Sequence, residues 1–149
     1  MSNTYVTALI ESLEKKNKVL DEILIKNEEQ AALLKEAEFS FDKFDKSIEE
    51  KGVLIYRLEK LDEGFEAFYS KVKAELDSDR EKYKSSILKM QMLITDITDK
   101  SSKIQAGEAR NKAALEAFFR GERDKLKAGR SGVNAVKSYN RVMNMLNQN

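Results

Sequence analysis

The chain has 149 residues, of which 36% are charged and 41% hydrophobic, with a net charge of +1 and no proline, cysteine or histidine. The missing cysteine and histidine exclude disulfides, cysteine- or histidine-ligated zinc, thiol nucleophiles and every histidine-based triad. Average usage would supply roughly seven prolines, so a Glu-, Lys-, Leu- and Ala-rich chain without a helix breaker predicts long helices, and its regular aliphatic spacing argues against disorder.

Asn3 or Thr4 can cap a first helix. Val6, Leu9, Leu13, Leu20, Ile23, Ala31 and Leu34 then recur at steps that sum to threes and fours, with Lys16 and Asn27 interrupting the seam. A second helix starts near Ser40, or after Ser47 if Ser47-x-x-Glu50 forms a capping box. Its stripe is Phe41, Phe44, Ile48, Ile55, Leu58, Phe65, Tyr69, Val72 and Leu76, with Gly52 and Gly64 as places for a kink or break. Seven of the twelve aromatic residues fall between Phe39 and Tyr69, which predicts that this helix is covered on more than one side.

The third helix is predicted from Ser78-x-x-Glu81, another capping-box spacing, to about Ala128, a length of roughly 70 Å. Tyr83, Ile87, Met90, Ile94, Ile97, Ile104, Leu115 and Phe118 keep one register, and Ser101, Glu108 and Asn111 fall in the same stripe. Gly129 and Gly132 supply the stop. Three such stripes must be buried together. The expected fold is all-α, an elongated, coiled-coil-like antiparallel bundle of three long helices over residues 1–129, joined near 36–41 and 76–79.

Residues 130–149 form a tail of different composition. None of the 26 acids lies after Asp124, whereas five of the 27 basic residues do. On a helical wheel Val136, Tyr139, Met143 and Leu146 share one face, and Val133, Val142 and Met145 widen it. This amphipathic segment is a fourth helix packed back on the bundle, a mobile element that docks on a partner or covers a groove until one arrives, both in sequence as a detachable helix, or a disordered end without a role. The predicted partner-binding residues are Val133, Val136, Tyr139, Val142, Met143 and Leu146.

Carboxylate pairs such as Glu28/Glu29, Glu49/Glu50 and Asp96/Asp99 read as solvated helix faces. A bundle di-metal site would want Glu-x-x-His motifs, and no Gly-rich loop opens a helix to hold phosphate. No enzymatic activity and no cofactor are therefore expected. Five spread basic charges are too thin for a nucleic-acid or membrane-surface patch. The N-terminus has a short apolar run without a basic lead, and no segment approaches a membrane span, so a soluble cytoplasmic protein without stable membrane insertion is expected.

The run from Leu58 to Arg110, with LEKLDEGFEAFYSKVKAEL and REKYKSSILKMQMLITDITDKSSKIQAGEAR, resembles flagellar export chaperones of the FlgN/FliT type. So does the opening TALIESLEKKNKVLDEILIKNEEQ. The resemblance implies a small cytosolic helical protein, monomeric or homodimeric, that binds late export substrates of type III secretion. These are hook–filament junction (hook-associated) or filament-cap proteins, whose amphipathic helices it shields before delivery to export apparatus components. It places substrate recognition or its regulation in the C-terminal region, here Val133–Leu146. The alternative is a structural coiled-coil scaffold or tether that works as an oligomer.

Overall fold

A computed structural model describes residues 2–125, 137 and 139–145. Three helices, α1 (Ser2–Leu34), α2 (Phe41–Ser78) and α3 (Lys84–Lys125), are followed by a short helix, α4, over 139–145. The fold is all-α, with no strand among the described residues. Successive long helices run antiparallel, so α1 and α3 are parallel. Ion pairs record the registers: Lys16–Asp62 at 2.7 Å ties α1 to α2, and Lys100–Asp21 at 2.8 Å ties α3 to α1.

The helix boundaries follow from local chemistry. Ser40 caps α2, its side chain accepting from the Lys43 N–H at 3.3 Å. Ser47 is instead buried within α2, so the alternative start there does not apply. Ser78-x-x-Glu81 forms no capping box. The Asp79 N–H closes α2 on the Glu75 carbonyl, and the Asp79 carboxylate accepts from the Lys82 N–H at 3.4 Å. α3 therefore begins at Lys84, five residues later than the spacing predicts. Gly52 and Gly64 lie within an unbroken α2. The predicted stop at Gly129 and Gly132 falls outside the described residues.

The core is continuous along the bundle, from Val6, Leu9 and Leu13 through Ile23, Phe44, Ile48 and Ile55 to Ile104 and Leu115. α1 is the central helix and packs against both α2 and α3. No Cα of α2 comes within 8 Å of one in α3. These two helices meet through long side chains, as in the Phe41–Phe119 ring pair at 5.3 Å. A groove therefore runs between them on the side away from α1. Ile94 belongs to the α3 stripe yet is 46% exposed, because it faces this groove.

Candidate functional site

α4 occupies one end of that groove. Tyr139 is 1% exposed, its ring stacked on Phe44 at 6.0 Å and 15°. Its phenol donates to the Glu108 backbone carbonyl at 2.8 Å, so one residue touches both α2 and α3. Val142, one turn on, is buried in the same core, and Met143 and Met145 pack half-buried against it. Of the six residues predicted to meet a partner, Tyr139 and Val142 are thus buried against the bundle and Met143 flanks them. Val133, Val136 and Leu146 lie outside the described residues.

Beneath Tyr139 lies a polar layer closed to solvent. The Lys51 ammonium is 4.8 Å from the centre of the Tyr139 ring. Its three protons have three acceptors: Asn27 Oδ1 at 3.0 Å, Gln30 Oε1 at 2.8 Å and Glu108 Oε2 at 2.7 Å. The other carboxylate oxygen, Glu108 Oε1, touches the same ammonium but has no hydrogen bond among the described residues. Gln30 Nε2 donates to Ser47 Oγ at 3.0 Å, and that hydroxyl donates to the Phe44 carbonyl. Asn111 Nδ2 reaches the Asn27 carbonyl at 2.9 Å. Every helix contributes, so the layer fixes the axial register of all four.

The electrostatics follow from burial. Desolvation lowers the Lys51 pKa below the usual lysine value, while the Glu108 charge and hydrogen bond oppose the shift. Burial, reinforced by the nearby Glu108 charge, raises the Tyr139 pKa well above the ordinary phenol range. The phenol is a neutral donor at any physiological pH. Taking two charges out of water costs several kcal/mol per ion, which close geometry and satisfied hydrogen bonds must offset. Such a layer contributes specificity of alignment more readily than stability.

A glycine of α3 faces Asn27 at this level. A Cβ on Gly107 would stand 3.0 Å from Asn27 Nδ2, so the missing side chain gives the Asn27 amide room against α3. Asn27, Glu108 and Asn111 are visible in the sequence as polar interruptions of their stripes. Lys51 is not singled out there, although its position is marked: the α2 stripe takes a step of seven from Ile48 to Ile55, and Lys51 fills the gap.

The other end of the groove is uncovered among the described residues. Phe65, Tyr69, Leu76, Met90 and Ile94 line a hollow of about 280 Å³ there. The groove as a whole is a mostly apolar channel between two antiparallel helices, with an amphipathic helix already seated at one end. Among the described residues, no group of three or more acidic side chains could hold a metal ion, and no helix is long and apolar enough to cross a membrane. Comparison of the chain with family models, curated proteins and solved structures found no match.

Proposed function

We propose that this chain is a non-enzymatic, cytoplasmic helix-binding protein that acts as a flagellar export chaperone. Its α2/α3 groove takes an amphipathic helix from a hook-associated or filament-cap protein, and α4 holds that place when no substrate is bound. The observation that carries the reading is the seat of Tyr139 and Val142 in the groove. The chain itself supplies an example of the ligand chemistry, an amphipathic helix presenting a tyrosine and a valine three residues apart.

The energetics suit a displaceable cover. Burying side chains of this size contributes about 1.5–3 kcal/mol each before ordering costs. A helix this short has little stability of its own in water. A net docking free energy of about 3 kcal/mol would lower the apparent affinity of a competing helix roughly a hundredfold.

The test compares the full chain with one ending at Arg130, by calorimetric titration against purified hook-associated and filament-cap proteins. Tighter binding by the shortened chain supports the cover. Binding by the full chain alone would make the tail itself the recognition element. No binding of any such protein by either chain would reject the chaperone assignment.

A further inference from the structure

The face of the α1/α2 pair turned away from α3 carries exposed apolar side chains. Ile25 is 59% exposed, Val53 54% and Tyr56 55%, with the Lys60 ammonium 5.3 Å from the centre of the Tyr56 ring. They line two adjoining hollows of about 380 and 480 Å³ that share Glu22 and Arg57 at their junction, 4.0 Å apart. The remaining charges differ between the two. The hollow holding Ile25 and Val53 adds Lys26, Glu29 and Glu50, whereas the one holding Val19 and Tyr56 adds Lys15, Lys18 and Lys60. One end is net acidic and the other strongly basic.

We infer that this face binds a second copy of the chain, the two copies packed face to face about a two-fold axis at the Glu22/Arg57 level with their helices reversed. Three pairs of positions match about that level, while Glu22 and Arg57 of each copy come together at the axis. Seven residues are about two helical turns, so Lys15 and Glu29 stand equally far on either side of Glu22 and on the same face. Reversal brings Lys15 of each copy opposite Glu29 of the other. It also sets Ile25 over the largely buried Val19, and Val53 against the half-buried Leu61. Lys18 meets Lys26, but Lys26 already has Glu29 at 3.1 Å and Glu50 at 3.0 Å. A parallel packing would place like-charged ends together and gains none of these matches. The interface is self-complementary and closed, and it leaves the α2/α3 groove open in both copies.

Sedimentation equilibrium of the full chain tests the inference. At micromolar to submillimolar concentration the mass should rise from 17.1 kDa to twice that value and stop there. Ile25→Glu alters an exposed side chain outside the core and should weaken self-association at least tenfold. Lys15→Glu and Glu29→Lys should each weaken it, and the two together should restore it. A chain monomeric throughout, a mass that climbs past the dimer, or a double variant no better than the singles would each overturn it.

Discussion

The Lys51 ammonium and the Glu108 carboxylate, 57 residues apart in the chain, meet at 2.7 Å inside the bundle with neither side chain reaching solvent. Each makes the other tolerable. Lys51→Met alone leaves a buried carboxylate without its counter-charge, a loss of about 3–5 kcal/mol. Joint replacement, Lys51→Met with Glu108→Leu, should regain part of that, because no unpaired charge remains, although Asn27 Oδ1 and Gln30 Oε1 lose their donor. Urea unfolding of the two singles and the double checks this. Additive losses would show that the residues do not act as a pair.

Tyr139→Phe removes the bond to the Glu108 carbonyl but keeps the ring on Phe44 and near Lys51, so α4 should lose about 1 kcal/mol of docking. Tyr139→Ala should release α4 while leaving α1–α3 folded. Hydrogen exchange at residues 139–145 should rise to the open-chain rate in Tyr139→Ala and only several-fold in Tyr139→Phe. Equal protection in all three chains would mean that Tyr139 does not hold α4.

Alkali should act on the same contact. The Tyr139 pKa is raised in the docked state, so its contribution is fully present below the free phenol value of about 10 and is lost as pH rises beyond it. Lys51, whose pKa is lowered, contributes with the opposite sign: relief of its burial increases stability as pH climbs towards 10.5. Comparison with Tyr139→Phe separates the two effects. α4 protection should fall above about pH 10 in the native chain, and the fall should be absent in the variant. The same decline in both chains would assign it to another group.

Three glycines within helices should respond differently to alanine. Nothing lies within 4 Å of a Cβ built on Gly52 or Gly64, so alanine there should stabilise by about 0.5–1 kcal/mol through helix propensity. At Gly107 the new methyl would crowd the Asn27 amide, and the same substitution should be neutral or destabilising. Thermal melts of the three variants check the contrast. A gain at Gly107 equal to the other two would mean that Asn27 yields without cost.

Much of the architecture is legible in the sequence because a helical stripe is a local property. Val6, Leu9, Leu13, Leu20 and Ile23 recur at spacings that close on one face, and they are the α1 core. The start of α2 is also local, but the sequence offers two serines and only packing decides between them. Ser47 bonds to Gln30 across the interface, which turns a candidate cap into a core residue. Ile94 fails for the converse reason: its stripe predicts burial, but α2 and α3 stand apart at that level. Lys51 is the hardest to read. A lysine in an apolar seam looks like a defect until its partners are known, and those come from α1 and α3, far along the chain. The α4 contacts are partly legible, since the wheel groups Tyr139 with Val142 and Met143 but cannot say which surface receives them.

α2 and α3 each pack closely on α1 but meet one another through long side chains, so the width between them is set where those side chains touch. The span is pinned near one end by the Phe41 and Phe119 rings and the Lys51–Glu108 rung, and at the other by the short connection through residues 79–83. Between those pins the hollow lined by Phe65, Tyr69, Met90 and Ile94 is the stretch in which, under the proposed function, a substrate helix would lie.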